Sequence, residues 1–553
     1  MRYFIVKSVM RWGRKDTANY FVVFTIFFLI NLVTTGGHLD MWDGVVTFMI
    51  TESMALKKTA QLHPAIPTIS SANPNDIVYT MQEYEIGNYK AVTGKYHEWV
   101  LSSKPVEAVY SSRSLLLPAI AVPVYLFAWL LSVDPILAIG ISVNSLVITL
   151  TALVIFSFSW DLYASKRIGI LLSLIYVGCS FILPYNNTLF PQPLQGLCII
   201  SSALFLYKSR HLDFSHICTF TRGGPHNNNK RKGIAYTGIA GFLLGLSVFA
   251  SPVSAFFIPA FVVCSIIYFR RNVTLLVFFL VSLVVMLCLV GTVNYVRFGS
   301  VTEFGYGAAY GTFAYNQGWT GLVGLLISPG KGMIFYFPAL LLLPIALRFQ
   351  YRQDKGLFIL TTYIFIISWI YFGTLEANNE SRFWSGAIAW GPRYLIPTLP
   401  FLVIALGILF KHYGSYKARV LSLMKGAVVA FSLAGFVVNL PGILVWSEYG
   451  TIYAWDKEML GNQALEIMAW NPSYSPILIH LKILGGDYIS KIPVEDYRYT
   501  GWYYAAYGLA PCQYDLYILC KSGMTLFSVL GATAIFLATF ILRFRKIDHY
   551  IYS

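Results

Sequence analysis

The chain reads as an all-α polytopic membrane protein with about twelve transmembrane helices, plus interfacial or re-entrant helices in its outer loops. Composition is the first reason: 57% of the 553 residues are hydrophobic and only 12% charged, a balance that soluble chains of this length do not show. The second is the recurrence of apolar runs of spanning length along the whole sequence. The third is that Lys and Arg collect in short loops between those runs, as the positive-inside rule requires.

The runs lie near 20–36, 137–158, 167–185, 191–207, 233–251, 253–269, 273–296, 334–347, 356–374, 393–410, 426–446 and 522–542. The basic start MRYFIVKSVMRWGRKD is followed by no small-residue cleavage site, so 20–36 is expected to be a retained helix. A further run, Leu115 to Leu131, carries Pro118 and Pro123. If it dips without crossing, every basic cluster falls on one face. Those clusters are Lys166–Arg167, Lys208–Lys232, Arg270–Arg271, Arg348–Lys355, Lys411–Lys425 and Arg543–Lys546. If it crosses, the later clusters and the basic N-terminus fall on opposite faces. The dip is therefore preferred, with both termini cytoplasmic in a multi-pass plasma-membrane protein. Residues 1–553 form one transmembrane domain, with a first outer loop at 37–132 and a C-terminal outer segment at 447–520.

The net charge of +15 follows from those loops, so the partner it implies is anionic lipid and not nucleic acid. Cys179, Cys198, Cys264 and Cys288 lie in apolar runs as packing residues, and Cys218 lies in a basic loop. Cys512 and Cys520, eight apart in the outer segment, leave a disulfide open. No CxxC or HExxH metal signature occurs. Asn186-Asn187-Thr188 and Asn379-Glu380-Ser381 are glycosylation sequons near outer segments.

Chemistry is expected in the outer loops. Asp40 and Asp43 stand in HLDMWDG where the first apolar run ends. Carboxylates at a membrane boundary are costly unless used or paired. The following GVVTFMITESMALKK has one apolar and one polar face, the pattern of an interfacial helix. Asp43 falls near its start, so a plain capping role is the alternative to a functional one. Ser328-Pro329-Gly330-Lys331-Gly332 is a tight turn offering a cation and backbone amides. It suits phosphate, or equally a helix break with a snorkelling lysine. Arg393, in AWGPRYLIP, is an outer-boundary arginine that needs a partner. Anionic phosphate is one, and a salt bridge to Asp40 or Glu376 is the other. Aromatics make up 16% of the chain, suited to interfacial belts and to sugar stacking. The candidates for acceptor or sugar binding are Trp390, Trp384, Trp502 and Tyr306. Trp502 belongs to a Tyr/Trp-rich stretch that is either an acceptor lid or a packing layer.

In order along the chain, HLDMWDG with its amphipathic helix, AVYSSRSLLLPAIAVPVY, NNTLFPQPLQG, GFLLGLSVFASP, NYVRFGSVTEFGY, GLLISPGKGMIFYFP and AWGPRYLIPTLP resemble the GT-C class of integral membrane glycosyltransferases. That class includes the protein mannosyltransferases and the lipid A aminoarabinose transferase. The resemblance covers most of the chain and implies a GT-C fold. It also implies transfer of a sugar from a polyprenyl- or dolichyl-phosphate donor to a glycan, lipid or protein acceptor on the outer face. It places Asp43, or next Asp40, as the base that takes the acceptor proton. It places Arg393, Lys331, Arg297 and Arg113 as groups stabilising the phosphate leaving group. The SPGKG turn has lysine where arginine would be more usual, and the middle of the first outer loop, roughly 76–108, does not align. No cofactor is expected. Asp40, Asp43 and Glu376 could make an oxygen site for a divalent cation, but no spacing supports one.

A transporter or a lipid-linked glycan flippase or ligase is the competing reading. Transporters place ionisable residues near the midplane and show related halves; here the acids are at the boundary and no half-to-half similarity is visible.

Overall fold

The structure, a computed structural model, describes residues 14–36, 39, 41–60, 82–86, 89–93, 99–104, 108–210, 212, 226–270, 272–305, 318–375, 383–386, 389–411, 418–454 and 464–485. The run at 522–542, Cys218, Cys512, Cys520 and the segment beyond 485 lie outside the described residues.

The described chain is a bundle of helices with one small sheet. α1 (Arg14–Val33) leads to α2 (Met41–Lys57). Strands β1 (Gln82–Ile86), β2 (Tyr89–Thr93), β3 (Trp99–Lys104) and β4 (Ala108–Ser111) follow, then α3 (Leu116–Leu130). The next helices are α4 (Pro135–Tyr163), α5 (Lys166–Cys179), α6 (Pro191–Arg210), α7 (His226–Ala250), α8 (Ile258–Phe269) and α9 (Val273–Phe298). After them come α10 (Gly318–Ile327), α11 (Met333–Tyr336), α12 (Leu343–Gln353), α13 (Lys355–Gly373), α14 (Leu399–Leu406) and α15 (Ala418–Leu444). The short helices α16 (Ser447–Ile452), α17 (Ala464–Trp470) and α18 (Pro476–Leu484) end the described part.

Among the described residues, seven helical stretches are long and apolar enough to cross a membrane: 135–163, 230–250, 252–269, 273–298, 355–373, 393–410 and 422–444. Each matches a run anticipated from sequence. The runs at 20–36, 167–185, 191–207 and 334–347 are also helical but are shorter, more polar or broken. Proline explains the breaks. Pro184 and Pro338 lie in 3-10 turns (Leu183–Asn187, Pro338–Leu342) that interrupt 167–185 and 334–347, where the missing N–H denies the helix a bond. Pro252 and Pro397 lie in like turns (Pro252–Phe257, Arg393–Thr398) at the start of 252–269 and 393–410. The ambiguous run becomes α3, a helix of 15 residues. At 1.5 Å per residue that is about 22 Å, short of the ~30 Å hydrocarbon layer. Its Phe127, Trp129 and Leu130 are exposed, while Tyr125 packs on Phe48 of α2 and donates to Glu52 Oε1 at 3.0 Å.

Helix ends are fixed by local chemistry. Asp134 caps α4 by accepting from Ile136 N at 2.9 Å, with proline at the first helical position. Ser165 caps α5 two residues after α4 ends, so these helices form a tight hairpin. Within GFLLGLSVFASP, Gly241 and Gly245 face α9: a Cβ at 241 would lie 2.1 Å from Phe279 O, and one at 245 would lie 2.5 Å from Met286 Cβ. The small-xxx-small spacing is what lets α7 and α9 touch. The 393–410 stretch is 94% buried and forms the centre of the bundle, whereas the 273–298 stretch is 28% buried. The exposed Val277, Val281, Val285 and Leu289 of that outer helix suit lipid contact.

Strands β1 to β4 form an antiparallel meander in sequence order, with an irregularity between Ser102 and Lys104. It occupies much of the stretch, roughly 76–108, that does not align by sequence with the GT-C class. The chain leaves β4 at Ser111 and enters α3 at Leu116, so residues 112–115 are a short strap between sheet and bundle.

Residues assigned to one membrane face gather at one end of the bundle. Arg210 pairs with Asp354, Lys208 with Asp161 at 3.4 Å, and Gln353 donates to Leu162 O at 3.1 Å. The Asn186 sequon is buried. Its Nδ2 donates to Asn31 Oδ1 and Thr34 Oγ1, both at 3.1 Å, and Asn187 Oδ1 accepts from Gly36 N at 2.6 Å. Asn144 Nδ2 donates to the Tyr185 carbonyl at 3.3 Å. The motif thus clasps α1, α4 and the 3-10 turn Leu183–Asn187, and Asn186, 1% exposed, presents no amide to a glycosylating enzyme. Asn379 lies outside the described residues.

Candidate functional site

Four segments that are far apart in sequence meet around Asp43. Asp43 stands in the first turn of α2, where the helix dipole favours a carboxylate. The close approach of Gly44 to the chain at Leu189, 3.4 Å from an ideal Cβ to Leu189 N, seats that turn against the entry to α6. Arg113, from the strap after β4, places Nη2 2.7 Å from Asp43 Oδ1. Arg393, at the start of the 3-10 turn opening the central helix, places Nη1 3.3 Å from Asp43 Oδ2. The guanidinium of Arg393 lies between two rings, 4.9 Å from the centroids of both Phe190 and Tyr394. Its Nη2 donates to Tyr394 Oη at 3.3 Å. Arg393 is 8% exposed, yet among the described residues its Nε has no hydrogen-bond partner and its Nη1 has only the ion pair with Asp43.

Burial by itself would raise the Asp43 carboxyl. The charges of Arg113 and then Arg393 outweigh it, so the group is held below the usual carboxylate range. As it stands Asp43 is an anion clamped between two arginines. A negative ligand that drew either guanidinium away would free it and make it more basic.

Arg297, in the last turn of α9, sits one layer back. Its Nη2 donates to the carbonyls of Ser111 and Arg113, the latter at 2.9 Å. Lys331 lies in a different part of the site, 2% exposed, with Nζ on the Ala389 carbonyl. Burial, helped by the charge of Arg393, pushes its ammonium down to about 7. The SPGKG turn is held from several directions. Lys331 N donates to Ser328 Oγ at 3.1 Å, Gly330 N donates to Ala469 O at 3.1 Å, and Tyr336 Oη donates to Gly330 O at 2.7 Å. A Cβ at Gly330 would lie 2.0 Å from Met468 O, which is why glycine stands there.

The tryptophans expected to stack on sugar are covered by protein. Trp390 is 2% exposed; its Nε1 donates to Asn439 Oδ1 at 2.9 Å and its ring packs on Tyr336 and His480. Trp384 is 5% exposed and fills the space over Gly321 and Gly324 of α10, beside Trp470. Both rings are packed in this structure, because short helices carrying Trp470 and His480 close over them. Asp40, Glu376, Tyr306 and Trp502 lie outside the described residues. Among the described residues no group of three His, Cys, Asp or Glu is placed to hold a metal. Phe190 and Tyr394, which sandwich Arg393, were not singled out from sequence. Their signal was slight: each adjoins a motif residue, Phe190 after NNTL and Tyr394 after Arg393.

No protein-family model matches the chain, and no curated protein matches it in sequence. Among solved structures it is similar to ArnT from Cupriavidus metallidurans bound to undecaprenyl phosphate. The identity is 12% and the TM-score 0.41, over 86% of this chain and 80% of that one. It is also similar to the archaeal oligosaccharyltransferase AglB from Archaeoglobus fulgidus, solved with an inhibitory peptide and a dolichol-phosphate. There the identity is 11% and the TM-score 0.39, over 77% of this chain. The match spans only 56% of that longer protein. The apo form of the Archaeoglobus fulgidus oligosaccharyltransferase gives 11% identity and a TM-score of 0.42, over 81% of this chain and 59% of that one. At these scores the likeness carries no argument about the site or its reaction.

Proposed function

We propose that the protein is a GT-C glycosyltransferase that moves a sugar from a polyprenyl- or dolichyl-phosphate carrier to an acceptor hydroxyl or amide on the outer face of the membrane. The observation that carries this reading is Asp43 clamped between Arg113 and Arg393 at the end of the bundle opposite the Arg210–Asp354 pair. Support also comes from the ordered run of sequence segments that resemble that class.

In the proposed reaction the acceptor attacks the anomeric carbon while Asp43 takes its proton. The bond from that carbon to the phosphate oxygen breaks, and the electron pair leaves with the polyprenyl phosphate. The arginines stabilise charge that grows on this oxygen. Arg393, whose Nε lacks a hydrogen bond and whose Nη1 holds Asp43 only loosely among the described residues, would give the phosphate a place to bind, and in binding it would compete for the guanidinium now facing Asp43. Donor binding therefore raises the basicity of Asp43 when a base is needed. Lys331, near neutrality where it lies, gains its proton as the anion approaches.

The test uses purified protein in lipid, wild type beside Asp43→Asn, offered a panel of polyprenyl-phosphate sugars. Release of polyprenyl phosphate is followed with and without a chelator. Turnover in the wild type, lost in Asp43→Asn with donor binding retained, supports the reading, and the chelator arm decides metal dependence. Turnover surviving the substitution removes Asp43 as base and points to Asp40. No release with any donor or acceptor extract moves the case to a transporter.

A further inference from the structure

We propose that Arg297 is a positioning residue, which fixes the strap between β4 and α3 and so aims the Arg113 guanidinium at Asp43. The inference rests on the reading of Asp43 given above, and it assigns Arg297 work other than phosphate binding.

The geometry is local and specific. Arg297 is 5% exposed in the last turn of α9. One nitrogen, Nη2, donates both to Ser111 O, the last residue of β4, and to Arg113 O. The second acceptor belongs to the residue whose own Nη2 contacts Asp43 at 2.7 Å. Backbone anchor and functional head are thus two ends of one side chain. The neighbouring residues grip the same strap. Arg297 lies over Phe298 at 4.5 Å, and Phe298 meets Tyr110 edge-on at 6.5 Å between centroids. Gly305 closes the other side: it has φ +82, and an ideal Cβ there would lie 2.9 Å from Ser112 Cα. Any side chain at 305 would meet both an unfavourable backbone conformation and the strap itself. Arg113 N, finally, donates to Ser111 Oγ at 3.1 Å. One segment, 297–305, therefore holds residues 110–113 by hydrogen bond, ring contact and close packing.

A planar guanidinium suits this task because its donors diverge at fixed angles onto two carbonyls, which a lysine ammonium on a flexible stem does not reproduce. Among the described residues, the charged or titratable groups around Asp43 are Arg113 from the strap and Arg393 with Tyr394 from the central helix. Loosening the strap removes the first of these and leaves the other two.

The test compares Arg297→Gln and Arg297→Lys with wild type, each also in an Arg113→Ala background. The first readout is amide hydrogen exchange of residues 108–115 on the full chain in lipid nanodiscs without donor, which needs no activity. The second is the release kinetics of polyprenyl phosphate. Exchange at 108–115 is expected to rise in Arg297→Gln and less in Arg297→Lys, with helices elsewhere unchanged. The rate constant kcat is expected to fall about tenfold in Arg297→Gln, and less than about twofold further when Arg113 is already alanine. Unchanged exchange at 108–115 overturns the inference. So do losses that multiply independently and lie in donor KM, since those belong to a direct phosphate ligand. Should Arg297→Gln fail to fold, exchange in Arg297→Lys decides alone, and wild-type protection there counts against the proposal. If the wild type turns over no donor, the glycosyltransferase reading fails while the exchange result still judges the positioning role.

Discussion

Two aspartates, one at each end of the bundle, face arginine in different ways. Asp354 is 6% exposed and fully engaged: Oδ1 accepts from Leu357 N at 3.0 Å and Tyr268 Oη at 2.9 Å, and Oδ2 meets Arg210. It caps α13 and ties that helix to α6 and α8. Asp43 has one well-formed bond, from Arg113, and at 3.3 Å the Nη1 of a second arginine, which makes no proper hydrogen bond and whose Nε has no partner among the described residues. Buried polar atoms nearly always find partners, so those left without one call for an explanation. Asp354 is architecture. At the other end, Arg393 is a buried cation with hydrogen-bonding capacity left over among the described residues, which is what the proposed phosphate site would use.

The comparison can be broken by exchanging the expected losses. Asp43→Asn is expected to lower the rate of sugar transfer by ~10²–10⁴-fold while leaving the melting temperature in detergent within a few degrees of wild type. Asp354→Ala is expected to do the reverse: a loss of about 2 kcal/mol in stability, since the carboxylate that caps α13 and satisfies the buried Tyr268 hydroxyl is removed, with near-normal rate per folded molecule. Parallel melting and transfer assays on both variants check this, and equal losses in both would erase the distinction. Arg393→Lys keeps the charge but loses the fork. Donor affinity is expected to drop about tenfold, read by titration with polyprenyl phosphate; undiminished affinity would show that the uncommitted donors are not a phosphate site. The smallest effect belongs to Lys331, whose ammonium is pushed down to about 7 in the fold from an ordinary 10.5. Between those values the unfolded chain holds the extra proton, so this group makes stability rise with pH from about 7 to about 10. Lys331→Met is expected to flatten that rise in a series of melting curves against pH.

The fold was legible because a membrane chain must bury its backbone polarity in helices and keep its cations on one face. Those two constraints suffice to place Arg210 and Asp354 at one end and Asp43, Arg113 and Arg393 at the other. The sheet was missed. Its strands QEYEI and YKAVT flank Gly87-Asn88, a hairpin dipeptide, but lie in a polar outer loop where helical reading dominated. Within the site, Asp43 and Arg393 each stood out as charges at a costly boundary, and Arg113 entered only through the resemblance. Which of them touch was not legible, since the contacts join positions 43, 113 and 393 through the closing of the bundle. Arg393 was expected to meet phosphate, or else a carboxylate such as Asp40 or Glu376; among the described residues it faces Asp43. The burial of Trp384 and Trp390 was not legible for a related reason: an aromatic near an interface carries the same composition signal whether it faces a ligand or a neighbouring helix.

The buried clasp at Asn186 has a consequence for production of the protein in a eukaryotic cell. An oligosaccharide can be added there only before α1 and α4 close around the side chain. Glycosylation at that residue would therefore mark molecules whose first helices never assembled. The fraction of chains shifted by a glycan at Asn186 becomes a gauge of misassembly, and coexpressed chaperones or slower synthesis can be judged by how far they reduce it.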